Sequence, residues 1–421
     1  MPPDGMMNID TLLLQAEHQV RDVFARIEAV EEKNTQRVLD AFASHRISLR
    51  EMAGSTGYGY GDIGRETLEK LAADLLGGED AIVSPHLLSG THALSVCLFG
   101  LLLPGDRLLS ACGKPYDTLD QVIGMKNEPG SLAEMGVGYD EVQPAPDGGI
   151  DVEAVLGAIT PQTRVIWVQR SRGYAWRNPL MPQDMRPLFE AVRAVRPDIY
   201  LAVDNCYGTF VTADEPTHYG ADVIVGSLIK NAGGGLAPTG GYMVGTRRAI
   251  ERIEHRLTAP GIGREIGSYE PGYRAFYQGL FMAPHTVAQA LKTAVLAASV
   301  FSLLGLTTTP LPDAPRADIV QAIRMETPER LAAFCRAIQA ASPVDSYLTP
   351  EAWDMPGYDD PVIMAAGTFV AGASIELSVD GPMRPPYVAY LQGALTYAHG
   401  KLALRHALDT MAAQGLLKQN T

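Results

Sequence analysis

Short apolar runs alternate with helical patterns through the middle of the chain. Residues 165–168 and 223–225 are apolar and rich in β-branched side chains, which is typical of buried strands. Such runs alternate with helical segments from about residue 80 to residue 245, which predicts a parallel sheet with helices on both faces. Apolar positions at helical spacing predict helix over residues 8–45. After Arg247 the pattern becomes mainly helical, and short strands and helices mix in the C-terminal part.

This pattern predicts three parts in the chain. They are an N-terminal helical arm (1–55), a large domain (56–300) with a mostly parallel sheet, and a smaller C-terminal α+β domain (301–421). A chain of 421 residues exceeds one typical hydrophobic core, which favours more than one domain. The sequence is 46% hydrophobic and 19% charged, a mixture typical of globular proteins.

Charge and cysteine content narrow the class of protein. A net charge of −14 argues against nucleic acid and anionic membranes as partners, because both favour a basic surface. The four cysteines lack metal-ligand spacing, which predicts a reducing, cytoplasmic compartment and no structural metal. The N-terminus lacks the charged and apolar regions of a signal peptide. The apolar tract at 294–301 is too short to span a bilayer.

The most specific chemical signal lies where two successive strands end. Asp204 ends the apolar run 199–204, and Lys230 follows the run 223–225, 26 positions later (230 minus 204). A lysine this close to a buried strand is expected to be desolvated, which lowers its pKa and makes the amine a nucleophile. Pyridoxal 5′-phosphate (PLP) needs a lysine for its aldehyde and an acid for its ring nitrogen. The pair therefore predicts a PLP site. Taken separately, Lys230 could be a surface residue of a loop, and an aspartate at a strand end is also a common helix cap or turn residue.

Other segments have side chains suited to an anion or an aromatic ring. Ser89, Gly90 and Thr91 open a predicted helix, where free backbone N–H groups bind phosphate, although Ser and Thr are also common caps. The glycine-rich segment 56–65 holds two tyrosines and an arginine, which fit either an anion-binding loop or a structural turn. Tyr116 follows another strand and is a candidate to stack on a cofactor ring or to pack in a loop.

Several motifs resemble the fold type I PLP enzymes of the cystathionine and methionine lyase group. The chain is most similar to the "aluminium resistance" or methionine gamma-lyase-like family, from about residue 15 to residue 400. The motifs that carry the resemblance are TGYGY (56–60), SGTHA (89–93), QRSRGY (169–174), DNCYG (204–208), GSLIKN (226–231), APGIG (259–263) and SPVDS (342–346). The resemblance implies the aspartate-aminotransferase-like fold, a seven-stranded sheet, an active site built by a homodimer, and a tetramer.

The resemblance also implies a role for individual residues. The catalytic residues would be Lys230, which binds PLP and moves the substrate proton, Asp204, which pairs with the pyridine nitrogen, and Tyr116, which stacks on the ring. The phosphate ligands would be Ser89, Gly90, Thr91 and Ser227, with Tyr60 reaching the phosphate of the neighbouring subunit.

Two departures from the lyase pattern change the expected ligands. Asp62 stands where the lyases have a phosphate-binding arginine, so Arg65 is the candidate replacement. Glu376 stands where they have the arginine that binds the substrate carboxylate, in a segment expected to be a strand. Arg384 and Arg172 are the candidate replacements, because a guanidinium binds a carboxylate in a bidentate manner. Tyr58 is a further candidate for binding the substrate.

The resulting hypothesis is a carbon–sulfur lyase that performs β- or γ-elimination on an L-amino acid and releases a 2-oxoacid and ammonia. An aminotransferase or a γ-replacement enzyme would use the same lysine and aspartate. A non-catalytic PLP-binding protein is a further alternative. An NAD-binding Rossmann enzyme is disfavoured, because residues 233–235 are three glycines after a lysine and do not form GxGxxG after a first strand.

Overall fold

The computed structural model describes residues 8–126, 128–355 and 358–417. By their contacts, the residues form two compact units. One comprises Lys33–Ala283, and the other comprises the residues up to Glu32 together with those from Pro284 onward. The predicted domain boundaries after residues 55 and 300 stay predictions.

The elements of the described residues are as follows. The helices are α1 (Ile9–Gln19), α2 (Arg21–Ser44), α3 (Ile63–Leu75), α4 (Gly90–Leu101), α5 (Asp117–Ile123), α6 (Val152–Ala158), α7 (Arg186–Val195), α8 (Arg247–Glu254), α9 (Arg274–Leu303), α10 (Pro328–Ala340) and α11 (Tyr397–Ala413). The strands are β1 (Asp80–Ser84), β2 (Arg107–Ser110), β3 (Gly138–Glu141), β4 (Thr163–Gln169), β5 (Tyr200–Asp204), β6 (Val223–Ser227), β7 (Gly241–Gly245), β8 (Thr308–Thr309), β9 (Val320–Arg324), β10 (Val362–Ala365), β11 (Ser378–Pro382) and β12 (Val388–Gln392).

Short polar side chains begin several of these helices. The side chains of Asp62, Asp151, Thr327 and Thr396 each accept a hydrogen bond from the backbone N–H three residues later, at the starts of α3, α6, α10 and α11. Such caps satisfy backbone donors that the helix itself leaves without partners.

A seven-stranded sheet forms the centre of the first unit. Its strand order is β1-β7-β6-β5-β4-β2-β3. The strands from β6 to β3 run parallel, whereas β7 pairs antiparallel with both β6 and β1. Every residue of β5 and β6 is buried, as expected for strands covered on both faces. The predicted mostly parallel sheet is confirmed.

The second unit contains a smaller antiparallel sheet with the strand order β10-β11-β12-β9-β8. Its core includes apolar residues of α1, α9, α10 and α11, with the rings of Phe301 and Phe334 packed edge to face at 5.4 Å between centroids. The expectation that Glu376 lies in a strand is wrong. Residues 374–377 form turns, and β11 begins only at Ser378.

Helix α9 begins at Arg274 and continues through Pro284 to Leu303. Its length and composition would allow it to cross a bilayer, but 78% of its most apolar window is buried inside the protein. Such burial is typical of the core helix of a globular protein.

Candidate active site

The site lies at the edge of the large sheet where parallel strands end. Asp204 is the last residue of β5, and it is paired in register with Val225 of β6. Ser227 is the last residue of β6, and Lys230 follows three residues later. Because neighbouring parallel strands end at the same edge, the fold brings Asp204 and Lys230 together, and each changes the pKa of the other. Ligands commonly bind at this edge of open α/β sheets.

The Lys230 amine lies over the face of a tyrosine ring. Its Nζ atom is 3.9 Å from the ring centroid of Tyr207. Burial alone would lower the pKa of Lys230. Tyr207, Cys206 and Asp204 outweigh this effect and raise the pKa above its ordinary value. The expectation of a lowered lysine pKa is therefore wrong for the protein without a ligand, because the sequence indicates the burial but not the surrounding side chains.

Asp204 is a buried carboxyl group with a fixed orientation. Its side chain is largely shielded from solvent, and Oδ1 accepts a hydrogen bond from the backbone N–H of Cys206 at 3.0 Å. Burial raises the pKa of Asp204, while the Cys206 N–H and the Lys230 charge act in the opposite direction. The group is therefore suited to interact with a cationic partner such as a protonated ring nitrogen.

The N-terminus of α4 borders the same place. Ser89 caps the helix, because its Oγ accepts a hydrogen bond from the His92 N–H at 3.0 Å. Gly90 is the first helical residue, and a Cβ atom there would lie 3.2 Å from Cys206 Sγ and 3.5 Å from Ser227 Cβ. Helix N-termini bind anions through free N–H groups and the helix dipole. A side chain at position 90 would crowd Cys206, and the residues present fit the phosphate of PLP.

The remaining predicted phosphate ligands differ in what they contact. Ser227 is fully buried, and its Oγ accepts a hydrogen bond from the Ile229 N–H at 3.3 Å. The Thr91 Oγ1 atom lies 2.9 Å from Thr118 Oγ1, so the two hydroxyls share a hydrogen bond. The structure thus brings Gly90 and Ser227 side by side, and it places Thr91 one residue further along α4.

Tyr116 and Arg172 lie in loops that meet beyond the strand ends. Tyr116 precedes α5, and its ring packs edge to face on Tyr174, with 5.9 Å between centroids. A Cβ atom on Gly173 would lie 3.3 Å from Tyr116 Cδ2, which shows how closely the loop after β4 approaches this ring. Arg172, in the same loop, is almost completely buried.

The predicted ligands of the glycine-rich segment around the start of α3 differ in their exposure. Tyr58 and Tyr60 are 69% and 67% exposed, and their ring centroids are 5.5 Å apart. Arg65 is buried and donates hydrogen bonds to the backbone carbonyls of Gly267 at 3.1 Å and Glu265 at 3.4 Å. The guanidinium of Arg65 thus holds the 265–267 segment, and its role as a phosphate ligand stays a prediction.

Asp62 has a structural role in place of the lyase arginine. Its carboxylate accepts hydrogen bonds from the Arg65 N–H at 3.1 Å, from the Tyr273 hydroxyl at 2.9 Å and from Ser55. These bonds fix the start of α3, so the substitution preserves the loop geometry rather than a charge for phosphate.

Arg384 and Glu376 belong to the second unit. Arg384 is about half exposed and forms an ion pair with Asp360, with 2.8 Å between Nη1 and Oδ2. Glu376 is buried, and its two oxygens accept the backbone N–H groups of Phe369 and Val370 at 2.8 and 3.0 Å. These bonds fold the segment into turns, which explains why it does not form the expected strand.

A buried ion pair near the strand ends was not predicted from the sequence. Arg170 follows β4 directly, and its Nη1 atom lies 2.9 Å from Glu215 Oε2, with both side chains almost fully buried. Asn205 bridges them by accepting from Arg170 at 2.7 Å and donating to Glu215 at 3.0 Å. Glu215 also accepts the Phe210 N–H at 2.9 Å. The arginine after a strand end was the available signal, but nothing local in the sequence identifies its partner.

Comparison with known proteins decides the family. The sequence profile of the methionine gamma-lyase family matches residues 9–412. The chain belongs to the methionine gamma-lyase family. The uncharacterized protein YnbB of Bacillus subtilis (strain 168) is 48% identical to this chain over 406 residues, which cover 96% of each protein. The L-methionine gamma-lyase of Pseudomonas putida is 30% identical over 201 residues, which covers 47% of this chain and 45% of that one.

A solved structure agrees with this assignment. The carbon-sulfur lyase involved in aluminium resistance from Clostridium novyi NT is similar to this chain with a TM-score of 0.92 and 45% identity, covering 95% of each chain. The resemblance inferred from the motifs and the predicted fold type I architecture are therefore confirmed. The family and this similar structure indicate that the chain resembles carbon–sulfur lyases.

Proposed function

We propose that the protein is a PLP-dependent carbon–sulfur lyase that eliminates a group from the β- or γ-carbon of an L-amino acid and releases a 2-oxoacid and ammonia. One observation carries the proposal: Asp204 and Lys230 lie together at the strand ends, where Gly90 opens an anion-binding helix terminus. Membership of the methionine gamma-lyase family supports the same conclusion.

The lysine and the aspartate would have complementary tasks. PLP, when bound, supplies an aldehyde that condenses with amines and a ring that accepts the electrons of a broken bond at Cα. Lys230 would hold the aldehyde, and its freed Nζ would take the Cα proton and return it where the leaving group departs. The Asp204 carboxylate would hold the ring nitrogen protonated, and burial strengthens this interaction because few waters compete.

The helix terminus would bind the cofactor phosphate. Backbone N–H groups of α4 at Gly90 and Thr91 point toward an anion at this end of the helix, and Ser227 adds a hydroxyl from the adjacent strand. Tyr116 would stack on the cofactor ring. Tyr60, which is exposed, would reach the phosphate site of a neighbouring subunit, so we propose a homodimer as the active unit and a tetramer as the assembly.

Binding of the substrate carboxylate requires a cation. Arg172 lies in the loop after β4, at the edge of the sheet that carries Asp204, whereas Arg384 is in the second unit and already pairs with Asp360. The guanidinium of either arginine would bind the two carboxylate oxygens in a bidentate manner. We propose Arg172 or Arg384 as this ligand, with Tyr58 as a further substrate contact.

The proposal is tested by the visible absorption of the purified protein with PLP while L-cystathionine, L-methionine and L-homocysteine are added in turn. A shift of the cofactor band together with release of 2-oxoacid and ammonia is expected for at least one of them. Complete conversion of the cofactor to its pyridoxamine form, without 2-oxoacid release beyond one equivalent, would instead indicate an aminotransferase. A bound cofactor whose band never shifts would contradict a lyase for these sulfur substrates.

A further inference from the structure

The contact between Lys230 and Tyr207 joins the loops that follow β5 and β6. The Lys230 Nζ atom lies 3.9 Å from the centroid of the Tyr207 ring. The next residue, Asn231, donates its side-chain amide to the backbone carbonyls of Tyr207 at 2.9 Å and Thr209 at 3.1 Å. Two consecutive residues of one loop therefore hold the other loop, so the ring has a defined position relative to the amine.

The groups around Lys230 differ in what they can offer the amine. The titratable side chains that face it are Asp204, Cys206 and Tyr207. Burial raises the pKa of the Cys206 thiol. Asp204 is the proposed partner of the cofactor nitrogen. Tyr207 contacts the amine in two ways, through a hydrogen bond with its hydroxyl and through its aromatic face, which attracts a cation.

We propose that Tyr207 is a positioning residue for Lys230, whose ring holds the freed amine in one place and stabilises its protonated form. The use of that proton in catalysis rests on the proposed lyase function, whereas the contact itself does not. An amine that has just taken the Cα proton is a cation, and the ring face gives it a fixed position from which to deliver the proton.

The test compares Tyr207→Phe with Tyr207→Leu. Phenylalanine keeps the aromatic face and removes only the hydroxyl, whereas leucine removes both. The pKa of Lys230 is measured in the full-length protein, after the cofactor has been removed with hydroxylamine, by competitive acylation with acetic anhydride across pH and mass spectrometry of the Lys230 peptide. We expect Tyr207→Leu to lower the Lys230 pKa by about one unit and Tyr207→Phe to lower it by less than half as much.

Tyr200 provides a matched control at the other end of β5. Its ring also faces cations, with the guanidinium carbon of Arg248 at 4.4 Å and that of Arg164 at 5.2 Å from the centroid. Tyr200→Leu removes a buried ring at the start of β5 but is expected to leave the Lys230 pKa unchanged. An equal shift in Tyr200→Leu and Tyr207→Leu would overturn the proposal, because general loosening of the fold would explain both.

Turnover of the PLP-loaded protein gives a second readout. Tyr207→Leu is expected to lower kcat more than it changes KM, and Tyr207→Phe is expected to restore most of kcat. A Lys230 pKa that does not change in Tyr207→Leu would refute the positioning role even if the protein proves to be a lyase. A shifted pKa in a protein without lyase activity would support the contact and refute only the proposed function.

Discussion

Replacing Glu215 with glutamine would leave the Arg170 guanidinium without its buried counter-charge. The two charged groups are 2.9 Å apart, and their side chains are only 1% and 2% exposed. Glutamine keeps the shape of the side chain and one oxygen acceptor, while it removes the charge and replaces the other acceptor by an NH2 group. Removing one partner of a buried ion pair typically costs about 3–5 kcal/mol, because the remaining charge stays desolvated.

This cost can be converted into a melting temperature. For units of about 150–250 residues, each kcal/mol shifts the midpoint by roughly 2–4 °C. We therefore expect Glu215→Gln to melt about 6–20 °C below the wild-type protein. Thermal unfolding followed by circular dichroism, at one fixed PLP concentration because a bound ligand raises the midpoint, measures the difference.

An exposed ion pair serves as the matched control. Glu326 Oε2 lies 2.7 Å from Arg330 Nη1, but the Glu326 side chain is 47% exposed. The same substitution, Glu326→Gln, should cost no more than about 1 kcal/mol, because water screens this pair. Equal shifts for Glu215→Gln and Glu326→Gln, or a Glu215→Gln midpoint within about 2 °C of the wild type, would refute the reasoning that burial makes the first pair costly to break.

Three further predictions concern buried and site residues. Burial raises the pKa of Glu69 to about 8, so the folded protein holds a proton that the unfolded chain releases above about pH 4.5. The free energy of unfolding should therefore fall as pH rises from 5 to 8, by up to about 1.4 kcal/mol per pH unit. Glu69→Gln should abolish this fall when unfolding by denaturant is measured across pH. Parallel pH profiles of the wild type and Glu69→Gln would contradict the prediction. Gly90→Ala should weaken PLP binding about tenfold, because the added Cβ crowds the start of α4. Gly157→Ala, where a Cβ meets open space, should leave PLP binding unchanged. Equal affinities of the two variants in a PLP titration would contradict a phosphate site at Gly90. Asp204→Asn should retain PLP but lose most turnover, and an unchanged kcat would contradict the role of the carboxylate.

The sequence predicts the parts of the site that depend on local pattern. Apolar runs locate β5 and β6. Asp204 at the end of β5 and Lys230 three residues after the end of β6 must then lie at one edge of a parallel sheet. The cap at Ser89 and the glycine after it similarly follow from the residues that favour a helix start. These features need no knowledge of distant contacts, and they could be predicted together with the mostly parallel sheet.

The features that the sequence does not predict depend on distant partners. Arg65 binds carbonyls about 200 positions away, and Arg170 pairs with a glutamate 45 positions away, so neither partner is visible in a local pattern. Tyr207 approaches Lys230 only because the loop after β5 folds over the end of β6. The turn at Glu376 likewise arises from backbone hydrogen bonds to the carboxylate, while its neighbouring side chains alternate as in a strand.

The central claim is that Lys230 binds the aldehyde of PLP. It is tested most directly by adding PLP to the purified protein, reducing it with borohydride, and sequencing the modified peptide by mass spectrometry, with Lys230→Ala as the control. The account predicts a phosphopyridoxyl group on Lys230 and a loss of the visible band in Lys230→Ala. Modification of other lysines only, or an unaltered band in Lys230→Ala, would contradict it.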